Sequence, residues 1–121
     1  MRMAKREKTG GSAANLQIAL KKATTEMMIL HLLRKRPMYT YEMMTAIEEQ
    51  SGGDIAFNTL YLSIYRLEEN GYIREHQKVM SKDNRTRIYF AITDAGSGYL
   101  DTLIREYKRY TAALARVLEL E

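Results

Sequence analysis

The chain has a single proline, Pro37, and it divides the N-terminal half in two. A proline ring removes a backbone N–H and clashes with the preceding helical turn, so a helix approaching it must stop there. Before Pro37 apolar residues recur at helical spacing, at Leu16, Ala19, Leu20, Ala23, Met27 and Leu30, with Ile29, Leu32 and Leu33 widening the stripe. The spacing predicts a first helix buried along a broad face. After Pro37, Thr40 is a suitable N-cap for a short second helix to Gln50, with Met43, Met44 and Ile47 inward; Ser51-Gly52-Gly53-Asp54 ends it. A third helix is expected to open at Asn58 or the residue before, with Leu60, Ile64 and Leu67 inward and Thr59, Leu62, Ser63 and Arg66 turned partly outward. Asn70-Gly71 closes it as a left-handed cap.

Two β-type runs follow, Tyr72 to about Val79 and Thr86 to Ile92, and the segment Met80 to Arg85 between them carries an Asp-Asn turn signal, so they form a hairpin. Thr93 caps a last helix reaching about Leu118, whose seam is Leu100, Leu103, Ile104, Tyr107, Leu114, Val117 and Leu118. Three helices, a hairpin and a helix make a mainly α fold, a winged helix-turn-helix with an appended dimerisation helix. The divisions are a flexible basic arm at 1–14, a winged-helix domain at 15–93 and the dimerisation helix at 94–121. At 121 residues, one domain plus one helix is the ceiling.

Chemistry is narrowed mainly by what is missing. There is no cysteine, which removes disulfides and thiolate metal sites. No nucleophile elbow, P-loop, dinucleotide fingerprint or His-Glu-x-x-His occurs, so neither an enzyme, a cofactor nor a metal is expected. His31 and His76 have no partners at ligand spacing and read as structural or solvent-facing. No apolar run spans a membrane and no h-region follows the basic N-terminus, which points to the cytoplasm. The net charge is +4, but its distribution says more. Arg2, Lys5, Arg6 and Lys8 crowd the arm, and Arg74, Lys78, Lys82, Arg85 and Arg87 the hairpin, while Glu42, Glu48, Glu49 and Asp54 sit between. Such a pattern offers one face to phosphates.

From Pro37 to Gly96 the sequence resembles the PadR family of transcriptional regulators. The stretches that carry the resemblance are Pro37-Met38-Tyr39-Thr40-Tyr41-Glu42, Asn58-Thr59-Leu60-Tyr61, Arg66-Leu67-Glu68-Glu69-Asn70-Gly71-Tyr72-Ile73 and Arg87-Ile88-Tyr89-Phe90-Ala91-Ile92-Thr93-Asp94-Ala95-Gly96. The single short final helix is similar to the smaller subfamily, and the hairpin tip lacks the family's common Gly-Gly-Arg. The resemblance implies a homodimeric repressor of double-stranded operator DNA, acting by promoter occlusion, with Tyr61 on a backbone phosphate. Asn58, Thr59 and Ser63 are short polar groups suited to base edges near the start of the third helix, where free N–H groups also favour phosphate. Leu62 and Tyr65 complete its outward side, and Lys82, Arg85 and Arg87 form the wing's phosphate set. Tyr72 and Tyr89 are expected on the inner face of the hairpin, Tyr41 at the helix junction, and Arg66 paired with a carboxylate.

The resemblance also implies a flat cavity between the first and final helices of the dimer, floored by Tyr107, with Leu103, Leu16 and Leu20 around it, suited to a small planar aromatic effector; the alternative is that the two Tyr107 rings fill that space and close the dimer. Two other readings fit the same architecture. One is a winged-helix protein-interaction module that never touches DNA; the other is a ligand-binding dimer whose DNA affinity is vestigial.

Overall fold

The computed structural model describes residues 12–120, so the basic residues of the expected arm lie outside the described residues. The elements are α1 (Ala13–Lys35), β1 (Met38–Tyr39), α2 (Thr40–Gln50), α3 (Tyr61–Glu69), β2 (Ile73–Met80), β3 (Thr86–Ile92) and α4 (Asp94–Leu118). The Ser12 side chain accepts from the Asn15 N–H and starts α1 at Ala13, so residues 13 and 14, expected in the arm, belong to the helix. Two residues before Pro37 α1 ends, as the steric demand of the ring on its predecessor requires.

Strand β1 is an addition to the hairpin. The sheet is antiparallel in the order β1-β3-β2, with Met38 opposite Phe90 and Tyr39 opposite Tyr89. A register shift between Glu75 and Gln77 leaves His76 as the extra residue of a bulge in β2. The hairpin turn is closed by the Ser81 N–H donating to the Arg85 carbonyl at 2.8 Å, with Asn84 in the left-handed region at φ 63°. That pair supplies the turn the missing glycines would otherwise make.

Helix α3 begins at Tyr61, three residues later than Asn58. Leu60 must reach the core, where it is buried, and the chain from Ile55 to Leu60 is drawn across the surface to deliver it. Lys21 on α1 holds that segment, donating to the Ala56 carbonyl at 2.7 Å with its ammonium over the Phe57 ring. Ile29 and Leu30 of α1, Met43 of α2, Leu67 of α3 and Ile73 of β2 close the core. The N-terminal half of α1 does not share in it. Leu16, Ile18 and Leu20 are exposed, and burial begins at Thr25.

Helix α4 is seated on the start of the wing. The Thr93 hydroxyl accepts from the Gly96 N–H at 3.0 Å and donates to the Gly71 carbonyl at 2.7 Å, while the Thr93 N–H donates to the Tyr72 carbonyl at 3.1 Å. Gly96 lies against that same Tyr72 carbonyl, leaving no room for a side chain. Tyr72 then stacks on Tyr99 with centroids 4.2 Å apart, and the Tyr99 hydroxyl donates to Glu26 of α1 at 3.0 Å. Burial, with the Glu26 carboxylate beside it, pushes the Tyr99 phenol up to about 12. Arg34 secures the other side, donating to the Ser97 carbonyl at 2.7 Å and pairing with Asp101 at 2.9 Å.

Gly96→Ala should therefore destabilise the fold by about 1–3 kcal/mol, because its methyl meets rigid backbone. Gly98→Ala meets nothing within 4 Å and should stabilise by roughly 0.5–1 kcal/mol through helix propensity. Denaturant titration of both variants checks the contrast; equal effects would show that the seat is not tight.

Candidate nucleic-acid interface

The outward side of α3 is aromatic and polar rather than basic. Tyr61 is 75% exposed, Leu62 and Tyr65 are exposed, and Ser63 is half-buried beside the inward Ile64. Asn58 and Thr59 precede the helix and are fully at the surface. Thr59 Oγ1 accepts from the Tyr61 N–H at 3.1 Å, which satisfies one free N–H of the helix start and leaves its hydroxyl proton for a ligand. Glu69, one turn on, holds the Tyr65 phenol above its ordinary value, so that hydroxyl is drawn to a carboxylate of its own helix. Arg66 is exposed and forms no ion pair among the described residues, contrary to expectation.

Positive charge stands instead on the wing, and its members differ in availability. Lys82 is exposed and unpaired among the described residues. Arg85 faces Asp83 at 3.7 Å, and the Ser81 hydroxyl holds the Asp83 carboxyl below its usual range. Arg87, half-buried, lies over the Tyr39 ring. Between wing and α3 runs a groove of about 510 Å³, lined by Tyr39, Thr40, Tyr41, Thr59, Tyr61, Tyr65 and Arg87, with Glu68 and Glu75 at its edge.

Tyr41 is 67% exposed in this groove and does not fill the helix junction. That junction is closed by Met43, fully buried two positions on, and by Tyr39, whose N–H donates to the Glu42 side chain at 3.2 Å. Tyr39 and Tyr41 join the site because β1 carries the N-terminus of α2 alongside β3. The two-residue strand gave no periodicity by which to find them.

The final helix divides along its length. Leu100 is fully buried within this chain's own core and offers nothing to a partner, which removes it from the expected interface. Leu103 and Ile104 are half-buried and pack on the same core. Tyr107, Tyr110, Leu114, Val117 and Leu118 are exposed. A second groove, of about 460 Å³, lies between α1, α2 and α4 and is lined by Met27, Met28, His31, Ile47, Ile104 and Tyr107. Tyr107 lines this groove of the single chain, and Leu103, Leu16 and Leu20 are not among its lining residues; the two α1 leucines stand exposed nearer the N-terminus. Among the described residues no helix is long and apolar enough to cross a membrane.

Residues 29–102 match the family model of the transcriptional regulator PadR-like family. No curated protein sequence matches the chain. Among solved structures it is similar to a PadR family transcriptional regulator from Eggerthella lenta at 25% identity and a TM-score of 0.75, covering 89% of this chain and 93% of that one. It is also similar to a transcriptional regulator from Clostridium thermocellum at 25% identity and a TM-score of 0.72, covering 81% and 96%. A PadR-like transcriptional regulator from Bacillus cereus shares the fold at 20% identity and a TM-score of 0.69, covering 85% and 99%.

Proposed function

This chain belongs to the transcriptional regulator PadR-like family, and on that premise we propose that it is a cytoplasmic homodimeric repressor that occludes a promoter by binding a two-fold operator. The observation that carries the reading is the groove that sets Thr59 and Tyr61 at the start of α3 opposite Arg87 of the wing, with Asn58 exposed beside Thr59 and Lys82 and Arg85 exposed toward the wing tip. The α3 side supplies hydroxyl and amide donors for base edges and phosphate, and the wing supplies charge for the backbone. A gel shift at two salt concentrations separates this reading from a protein-interaction module, because phosphate binding weakens steeply with salt and such a module shifts no DNA.

The division of labour is testable by residue. Lys82→Ala with Arg85→Ala should weaken operator and random DNA by similar factors and flatten the salt slope, by about one unit for each phosphate that is no longer neutralised. Lys82→Ala alone should cost more than Arg85→Ala, since Arg85 already faces Asp83. Asn58→Ala or Ser63→Ala should change operator preference and leave random-sequence affinity nearly intact. Selective loss of operator binding in the wing variants would reverse the assignment.

Dimerisation is supported by the exposed apolar side chains of α4 and of the first turns of α1, which a lone chain leaves in water. At 25 residues α4 is roughly 38 Å long, enough for an extended contact. Leu114→Asp with Val117→Asp lies outside the core and should leave the helix content of the domain in place while producing monomers with little operator affinity and a lower melting temperature that no longer depends on protein concentration. A dimer persisting in sedimentation would remove α4 from the interface.

Release by a small planar aromatic ligand is the remaining part of the reading. The groove floored by Tyr107 has the apolar lining and the π surface to receive one. Such a compound should raise the melting temperature and dissociate the operator complex, and Tyr107→Ala should abolish both effects. Unchanged binding in that variant would exclude the groove as the sensor.

A further inference from the structure

Of the wing cations, Arg87 alone rests on an aromatic face. Its guanidinium carbon lies 4.7 Å from the centroid of the Tyr39 ring. Tyr39 is itself fixed from three directions. Its backbone pairs with Tyr89 across the β1–β3 ladder, its ring meets the Tyr89 ring edge-on at 5.2 Å and 68°, and its N–H donates to Glu42 at 3.2 Å. No carboxylate pairs with Arg87 among the described residues, although the Asp83 carboxyl feels its charge. Tyr39, Tyr41 and Arg87 line both the groove against α3 and a smaller recess of about 360 Å³ at the wing tip, so Arg87 stands on the ridge between them.

A cation held on a ring face keeps the N–H edges of its guanidinium free to donate. A salt bridge uses those edges. Arg85 must turn from Asp83 before it can meet another anion, whereas Arg87 has its orientation set and its donors open. An arginine already ordered loses less rotamer entropy on binding, and its planar fork matches the paired oxygens of a phosphate.

We propose that Tyr39 is a positioning residue that holds Arg87 as a pre-set clamp for a DNA backbone phosphate on the ridge between α3 and the wing. The proposal rests on the DNA-binding reading above. It assigns Tyr39 no contact with DNA and makes the ring, rather than its hydroxyl, the active feature.

The test measures the affinity of the full chain for a random-sequence duplex by fluorescence anisotropy over a salt series. The variants are Tyr39→Phe, Tyr39→Leu, Arg87→Gln and Tyr39→Leu with Arg87→Gln. Tyr39→Phe keeps the face and should bind like the parent. Tyr39→Leu keeps every charge yet should weaken binding by about 2–5-fold, the value of an exposed cation–π contact expressed as affinity. Arg87→Gln should weaken binding and flatten the salt slope by about one, and the double variant should bind no more weakly than Arg87→Gln alone. Should Tyr39→Leu misfold, the side-chain proton shifts of Arg87 decide the matter in the free protein. They should be displaced upfield by the ring in the parent and in Tyr39→Phe. Unshifted Arg87 resonances, additive losses in the double variant, or parent-like binding by Tyr39→Leu would each overturn the proposal while Arg87→Gln still reported DNA contact. A parent chain that binds no duplex at low salt would overturn the DNA reading and this proposal together.

Discussion

The Tyr72 carbonyl joins three functions of the fold in one place. It accepts from the Thr93 N–H and lies against Gly96, and its residue follows directly on the left-handed Gly71 that closes α3. The C-terminus of α3, the base of the wing and the first turn of α4 are thereby one rigid piece. The Tyr72–Tyr99–Glu26 chain of contacts extends that piece to α1. In the proposed dimer the separation of the two α3 helices would follow directly from the angle at which two α4 helices cross. Little internal slack exists to absorb a change in that angle, so a small rotation at the dimer contact would be delivered to the recognition surface.

In the proposed complex the electrostatic layout divides the work of holding one duplex between two elements. Helix α3 carries Glu68 and Glu69 against a single cation, Arg66, on its exposed side, and Glu75 faces it from β2. A helix so charged gains little from phosphate attraction and is suited to contacts of short range, where hydroxyls and amides discriminate. The wing is the converse. Its cations lie beyond the helix and act at longer range, with a strength that depends on salt. Acidic groups beside the reading helix and basic groups on the wing together penalise docking in which α3 lies on the backbone.

What the sequence made legible was whatever a single residue could dictate locally. Pro37 placed the end of α1, Thr93 the start of α4, and Asn70-Gly71 the end of α3, because capping and steric exclusion act over one turn. The inward residues Leu60, Ile64 and Leu67 were legible from their spacing of four and three along one face. Features fixed only by tertiary contact were not. Strand β1 is two residues long and exists because Met38 and Tyr39 find β3. The late start of α3 depends on a lysine from α1 reaching Ala56, a contact spanning 35 positions. Tyr41 was misplaced because an aromatic next to a helix start has the same sequence signature whether it faces the core or a groove.

The apolar seam of α4 shows most clearly where periodicity runs out. Leu100, Leu103, Tyr107 and Leu114 recur at the spacing of one helical face, yet they serve different neighbours. Leu100 sits at the level of the core and is consumed by it, while Val117, about five turns on, is 76% exposed. From Arg105 to Leu118 the helix has no buried residue. A continuous stripe thus passes from an intramolecular contact to an unpartnered one without any change in pattern, because the pattern records only which side of the helix is apolar. Where the change falls is set by how far the body of the domain extends along α4. That extent is fixed by the seat at Tyr72 and the Arg34–Asp101 pair, which lie toward the N-terminal end of the helix. Beyond Tyr107 the stripe has no intramolecular partner left to meet among the described residues, and α1 matches it with an unburied stretch of its own at Leu16, Ile18 and Leu20.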